Sequence, residues 1–189
     1  MTNTSSLLSG YLKPLEGLPC WNATAEYGSW LSLSFGLPHL VVREGNPKSQ
    51  VKSYRRRAVF VEGEFLLWVQ TGAWEILAKG KRIFHSGQSR ERLRVAAARL
   101  DSQKLLRIEL NVDPLCTIFT FELGSQLHTF PDEASQSDET LWSMHALGNC
   151  LSLLANGTLE YGSDRSKKPR RTTVRAAALD IQSFPLSGM

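Results

Sequence analysis

Apolar and polar residues alternate along most of the chain, which is the pattern of strands that bury one face. In residues 31–35 the alternation places Leu31, Leu33 and Phe35 on one face and serines on the other. Gly36 then interrupts the pattern before the apolar stretch PHLVVRE. We therefore expect a β-hairpin that turns at Gly36.

The same alternation predicts further strands separated by glycine-containing turns. Residues 58–84 should form three or four strands, and a hairpin should turn at Gly124-Ser125. Asn156-Gly157 suits a type I′ turn, in which both central residues need positive φ. The apolar residues expected in the core are Leu31, Leu33, Phe35, Leu106, Ile108, Leu110, Phe119 and Phe121.

One segment has helical rather than strand periodicity. Residues 89–100 lack Gly and Pro, and Leu93, Ala96, Ala97 and Leu100 fall on one helical face. Ser89 is a candidate N-cap, and the arginines of the segment should point mostly to solvent. We expect this segment to be the longest helix and to pack closely on a sheet.

These patterns together predict a mainly β protein with about ten short strands and one long helix (α+β). The expected architecture is an antiparallel β-sandwich, or a strongly curved sheet, with the helix packed against it. We divide the chain into an N-terminal extension (1–14), a single β-rich domain (15–162) and a basic C-terminal tail (163–189).

Composition places the chain among ordinary globular proteins. It has 189 residues, of which 42% are hydrophobic and 21% charged. No window approaches the ~20 apolar residues that a membrane span needs, and the first residues lack the core of a signal peptide. The three cysteines are isolated from one another, which suits free thiols in a reducing compartment. We therefore expect a cytoplasmic protein that does not act at a membrane.

The charges are segregated along the chain. Residues 43–107 hold 15 Lys and Arg against 6 acids, whereas residues 108–164 hold 9 acids and no Lys or Arg. This pattern can arise because neighbouring strands pair opposite charges across a sheet. Alternatively, it gives the fold a basic face around Arg55, Arg56 and Arg57, and an acidic face.

Several phrases of the sequence form a recognisable set. The phrases are GLPCWNATAEYGSWLSLSFGLPHLVVRE, EFLLWVQTGAWEIL, FTFELGSQLHTFP and GNCLSLLANGTLEYG. They resemble, in the same order, an uncharacterised group of small bacterial β-rich proteins. The resemblance covers most of residues 15–162 and implies a β-rich fold, but it assigns no catalytic residue. Some β-rich bacterial proteins of this general kind are immunity proteins encoded beside secreted toxins.

No catalytic motif stands out in the sequence. His128, Asp132 and Glu133 could hold a metal if they met near a loop, but a solvated histidine at a strand end is the simpler interpretation. Glu62 and Glu64 flank Gly63, where we expect them at the tip of a hairpin rather than as a pair of catalytic carboxylates. We therefore expect no enzymatic activity, no metal and no cofactor.

The five tryptophans admit two interpretations. Most of them should fill the core, although a row of aromatic rings on a sheet could also stack nucleic-acid bases. They are Trp21, Trp30, Trp68, Trp74 and Trp142.

The leading hypothesis is a non-catalytic protein-binding module, with an immunity or defence role against a toxin or within a defence complex. It would bind its partner through an exposed acidic loop that contains Asp132, Glu133, Asp138 and Glu139. The alternative is a nucleic-acid-binding accessory protein that uses the cationic residues of three segments. These residues are Arg55, Arg56, Arg57, Arg90, Arg94, Lys167, Lys168, Arg170 and Arg171.

Overall fold

A computed structural model describes residue 8 and residues 10–26, 28–146, 148–163 and 170–173. These residues form a mainly β fold with an α-helix of three turns, α1 (Arg90–Leu100), further helical residues at 8 and 10–12, and short 3-10 helices at Lys13–Leu15 and Lys52–Arg55. The strands are β1 (Cys20–Ala25), β2 (Leu31–Arg43), β3 (Ala58–Val69), β4 (Ala73–Ala78), β5 (Lys81–His85), β6 (Leu105–Val112), β7 (Leu115–Phe121), β8 (Ser125–Phe130), β9 (Thr140–Ala146), β10 (Asn149–Leu154), β11 (Thr158–Ser163) and β12 (Arg170–Thr173).

The strands form two antiparallel sheets that share one core. The large sheet has the order β1-β2-β3-β9-β10-β11-β12, and the small sheet has the order β5-β4-β8-β7-β6. Trp142 of the large sheet packs edge-to-face on Phe119 of the small sheet, with 6.2 Å between ring centroids. The prediction of a mainly β, antiparallel fold is confirmed.

The small sheet is an insertion within the large one. Strands β4 to β8 are continuous in sequence, and they lie between β3 and β9, which are neighbours in the large sheet. The pairing of β3 with β9 therefore joins residues 65–69 to residues 142–146, across the whole of the small sheet.

Helix α1 is shorter than the long helix we predicted, since it spans 11 residues. Its buried face consists of Leu93, Ala96, Ala97 and Leu100, as the sequence predicts, and it packs against β1 and β5. Ser89 occupies the N-cap position, but its side chain makes no capping hydrogen bond. The arginines of the helix are exposed, as expected.

The predicted hairpin at Gly36 is wrong, because β2 continues through this residue as one strand of 13 residues. The register with β3 shifts between Phe35 and Pro38, so that β2 carries one extra residue in a β-bulge. Gly36 supplies the positive φ of +76° that such a bulge needs. Opposite the bulge, a Cβ atom at Gly63 would overlap the backbone of Phe35.

A second bulge explains why one core prediction is wrong. Seven of the eight apolar residues expected in the core are buried, but Leu106 is 47% exposed. The register between β6 and β7 shifts between Leu105 and Arg107, so Leu105 occupies the core position instead. A shift of one residue turns a side chain to the other face of a sheet.

The two predicted turns have different outcomes. The hairpin at Gly124-Ser125 is confirmed, with Gly124 at φ +76°. At Asn156-Gly157 the strands are joined as predicted, but only Gly157 has positive φ. The loop contains three residues and ends in a left-handed glycine, which is the common alternative to a type I′ turn.

Both ends of the chain contribute to the described fold. Leu8, Leu12 and Leu15 are buried in the common core. Within the predicted tail, residues 170–173 form β12, whose backbone pairs with β11. The predicted domain boundaries at residues 14 and 162 stay predictions.

Candidate binding surfaces

The longest hairpin of the large sheet extends beyond the neighbouring strands. Strand β1 pairs with β2 only at residues 31–35, and β9 pairs with β3 only at residues 65–69. Residues 37–62, which we call the arm, therefore form a two-stranded ribbon closed by the loop 44–57. An isolated pair of strands is marginally stable in water.

One face of the arm continues the core face of the large sheet. Alternate residues of a strand share a face, and β3 has no bulge, so Val59 and Val61 lie on the same face as the buried Leu67 and Val69. Leu40 is paired with Val61, and Val42 with Val59. These four residues form an apolar patch with exposed fractions of 70% (Leu40), 53% (Val42), 57% (Val59) and 45% (Val61).

The opposite face of the arm is partly covered by its own loop. The guanidinium of Arg43 lies 4.6 Å from the ring centroid of Tyr54 and 5.9 Å from that of Phe60. The backbone N–H of Asn46 donates to the carbonyl of Tyr54 at 2.8 Å, which holds the loop in this position. The loop therefore covers only one face, and the apolar patch lies on the other.

The arm is also cationic. It carries six Lys and Arg side chains and only two carboxylates, those of Glu44 and Glu62. Arg57 forms an ion pair with Glu44 at 3.0 Å, in which both side chains are exposed. Arg55 donates through Nε to the carbonyl of Ser49 at 2.8 Å. The predicted run Arg55 to Arg57 is exposed, and it lies beside an apolar patch that the sequence analysis missed.

The predicted acidic loop, residues 131–139, connects β8 of the small sheet to β9 of the large sheet. Asp132, Glu133 and Asp138 are exposed, whereas Glu139 is half-buried. Asp132 accepts hydrogen bonds from the Ala134 N–H at 3.1 Å and from the Ser135 hydroxyl at 2.8 Å. Glu139 accepts one from the Gln136 N–H at 3.0 Å. Two of the four carboxylates therefore stabilise turns of the loop itself.

A groove of about 340 Å³ adjoins the acidic loop, and we call it the loop groove. Its lining includes Trp30, Gln70, Thr71, Asp132 and Glu139. The N–H of Thr71 donates to the carbonyl of Thr140 at 3.1 Å, which fixes one wall of the groove beside the acidic loop. The loop groove therefore lies at the end of the β2–β3 ladder where Leu31 pairs with Val69, and the arm lies at the other end.

The remaining cationic candidates lie on other elements. Arg90 and Arg94 are exposed on α1, which packs on β1 and β5 rather than on the arm. Arg92 lies over the ring of Phe84, at 5.0 Å from its centroid. Lys167 and Lys168 lie outside the described residues. Arg170 and Arg171 belong to β12, where only the backbone is described.

A polar row that the sequence analysis missed crosses the outer face of the large sheet. His145 and Cys150 are directly opposed on β9 and β10, and the Cys150 Sγ lies 3.8 Å from the His145 Nε2. The hydroxyl of Ser152 lies 3.4 Å from this sulfur and 2.9 Å from that of Ser143. The row places a thiol next to an imidazole, a pair that can exchange a proton.

The candidate metal ligands do not assemble. In the described part of the chain, no group of three or more His, Cys, Asp and Glu side chains could hold a metal ion. His128 contacts Glu75 instead, with 3.8 Å between Nδ1 and Oε1. Burial lowers the pKa of His128, while the carboxylates of Glu75 and Glu109 act in the opposite direction.

The two glutamates beside Gly63 do not form the tip of a hairpin, so that prediction is wrong. Both lie within β3, next to the bulge. Glu62 is opposite His39, and the carboxylate of Glu64 accepts a hydrogen bond from the Leu37 N–H at 3.0 Å. Glu64 therefore supports the bulge by binding a backbone group that the register shift leaves free.

The tryptophans divide between core and surface. Trp74 and Trp142 are fully buried, whereas Trp21, Trp30 and Trp68 are half-buried. Trp30 and Trp68 pack edge-to-face with 5.8 Å between centroids. The expectation that most of the five fill the core is therefore wrong, because only two do so.

The comparisons with known proteins give no family assignment. No protein-family model, no curated protein and no solved structure matches this chain. The resemblance to small bacterial β-rich proteins therefore stays a prediction. Among the described residues, none of the helices has the length and apolar character to cross a membrane.

Proposed function

We propose that this protein is a non-catalytic protein-binding module that engages its partner through the arm. The observation that carries the proposal is the apolar patch formed by Leu40, Val42, Val59 and Val61. Contiguous exposed apolar side chains on a folded protein mark interaction surfaces, because water around them is released on binding. This patch lies on the core face of the sheet, so a partner seated on it would extend the existing core.

The charges around the patch define the chemistry of the partner. The arm carries six cationic side chains and only two carboxylates, so a complementary surface would combine an apolar strip with carboxylates. The acidic loop is a second charged face, which suits a basic partner and would accelerate its association. An immunity or defence role, with a toxin or a defence-complex subunit as partner, belongs to this proposal and is supported by the resemblance alone.

The test compares two double variants with the native full-length chain. Leu40→Ser with Val61→Ser removes the apolar patch, whereas Leu106→Ser with Leu123→Ser removes exposed leucines elsewhere. Both should retain the native melting temperature within a few degrees, because all four side chains are 45–71% exposed. Proteins captured from the native cell are identified, and the Kd of each purified candidate is measured.

The proposal expects at least one partner whose Kd rises at least tenfold for the arm variant and stays unchanged for the control variant. Its association should also slow as salt increases, since opposite charges guide the encounter. Equal affinity of every captured partner for the two variants would exclude the arm as the binding surface.

A second candidate function is nucleic-acid binding, and the exposure of Arg55, Arg56 and Arg57 favours it. If these side chains contact phosphates, each contact contributes roughly 0.7–0.9 to the slope of log affinity against log salt. Replacing all three by Ala should then flatten the slope by roughly 2 units for single-stranded DNA and by nearly 3 units for double-stranded DNA. An unchanged slope, or no binding at low salt, excludes this function for the arm.

A further inference from the structure

We infer that the arm of one copy docks on the acidic loop and loop groove of a second copy. The inference rests on the proposed function, because it uses the same apolar patch, and it names a partner for it. It follows from the placement of two unlike surfaces at opposite ends of one pair of strands.

The two surfaces cannot meet within one molecule. Strand β3 runs without a bulge from Ala58, in the arm, to Val69, beside the loop groove. At a rise of roughly 3.2–3.4 Å per residue, its 12 residues place the two ends about 35–37 Å apart. Both ends belong to one rigid antiparallel ladder, so any contact between them must join two copies.

The two surfaces are complementary in charge. The arm presents exposed Arg55, Arg56 and Arg57. The acidic loop presents Asp132, Glu133 and Asp138, and no Lys or Arg occurs between residues 108 and 164 to neutralise them. A symmetric contact between two arms would bring like charges together, which disfavours it.

The two surfaces also match in apolar character. The apolar patch consists of four aliphatic side chains, of which Leu40 is the most exposed. The lining of the loop groove includes the half-buried ring of Trp30 and the polar residues Gln70 and Thr71. Aliphatic contact with an aromatic ring, surrounded by opposite charges, is the usual composition of a protein interface.

The contact is heterologous, because an arm meets a groove rather than another arm. Each bound copy still exposes one free arm and one free groove, so assembly continues until it forms a ring or an open chain. A second consequence concerns mixtures of variants. A copy that retains only a functional arm can bind a copy that retains only a functional acidic loop and loop groove.

The experiment is sedimentation analysis of the full chain at low and high salt over a wide range of concentrations. The arm variant is Leu40→Ser with Val61→Ser. The loop variant is Glu133→Lys with Asp138→Lys, chosen because neither carboxylate hydrogen-bonds another described residue, unlike those of Asp132 and Glu139. Circular dichroism and melting curves verify that both variants fold.

The native chain should form species larger than dimers at low salt, and these should dissociate at high salt. Each variant alone should be monomeric, with association weakened at least tenfold. An equimolar mixture of the two should form a dimer and nothing larger, because one copy supplies the arm and the other the groove.

A native chain that stays monomeric at low salt would overturn the inference, as would a loop variant that associates like the native chain or a mixture that stays monomeric. The proposed function is tested separately, by the Kd of a foreign partner for the arm variant. If the arm variant loses affinity for that foreign partner while the native chain is monomeric, the proposed function stands and only self-association is excluded.

Discussion

The indole nitrogen of Trp142 donates a hydrogen bond to the hydroxyl of Thr117 at 2.8 Å, inside the core. Trp142 belongs to β9 and Thr117 to β7, so this bond joins the two sheets. Both residues are fully buried. The bond therefore satisfies two polar groups that water cannot reach.

Replacing Thr117 by Val should destabilise the protein by about 1–3 kcal/mol, because it leaves a buried N–H without an acceptor while preserving the shape of the side chain. The free energy of unfolding is measured in urea. Thr120→Val is the control, since Thr120 lies on the same strand but is half-buried, and its hydroxyl accepts only a long hydrogen bond of 3.4 Å from Gln126. Equal losses in the two variants would show that the Trp142 bond contributes nothing specific.

Replacing Gly63 by Ala should cost roughly 1–3 kcal/mol, because the new Cβ would collide with the backbone of Phe35 at the bulge. Gly10→Ala is the control, since Gly10 is helical and its added Cβ meets open space. That change should leave stability unchanged or raise it by up to about 1 kcal/mol. A fully stable Gly63→Ala protein would contradict the close approach of the two strands.

Lowering the pH below about 6.5 should destabilise the protein through His128. Burial lowers the pKa of His128 in the folded state, so the unfolded chain binds more protons in this range. The stability that neutral His128 contributes is complete above the pKa that it has in the unfolded chain, and it is lost as the pH falls to the pKa that it has in the folded protein. The melting temperature of the native chain should therefore fall more steeply with decreasing pH than that of His128→Gln. His39→Gln, an exposed histidine, serves as the control.

The three cysteine thiols should react with iodoacetamide at different rates. Burial, reinforced by the charge of Asp101, raises the pKa of Cys20 far above its usual range, so Cys20 should react slowest. Burial and the charge of Glu75 also raise the pKa of Cys116. Cys150 should react fastest, because it is half-buried and next to His145.

The rates are measured by mass spectrometry of peptides after timed alkylation. In denaturant the three rates should become similar, which controls for differences intrinsic to the peptides. Modification of Cys20 before Cys150 under native conditions would contradict the burial pattern.

Most strands could be predicted from the sequence, because alternation is a local signal. The bulges at Gly36 and next to Leu106 could not be predicted. A glycine such as Gly36 can end a strand or lie in a bulge within it, and which of the two occurs depends on whether the paired strand continues alongside. That strand, β3, begins 22 residues later. In β6 the alternation is regular only after the bulge. The sequence pattern therefore predicts the correct face for Ile108 and the wrong face for Leu106.

The candidate site was predictable only in part. The charge blocks and the exposed acidic loop are visible in the sequence, because they depend on composition. The exposure of Leu40 and Val61 cannot be read from the sequence, because it depends on how far the small sheet extends beneath the arm. The pair His145 and Cys150 could have been found, because Gly148, which has positive φ, signals the hairpin in which the two residues lie directly opposite each other.

The insertion of the small sheet into the large one has a consequence for how the chain folds. Within the small sheet, β4 pairs with β5, and β7 pairs with β6 and β8, so these contacts close short loops. The pairing of β4 with β8 is longer in range, since it joins residues 73–78 to residues 125–130. The pairing of β3 with β9 must instead bring together segments separated by that entire unit. Pairing between distant segments slows folding, because a long stretch of chain loses conformational entropy before the stabilising contacts form. We expect the small sheet to form early and the β3–β9 junction to limit the rate, with the second half of the large sheet added in sequence behind it.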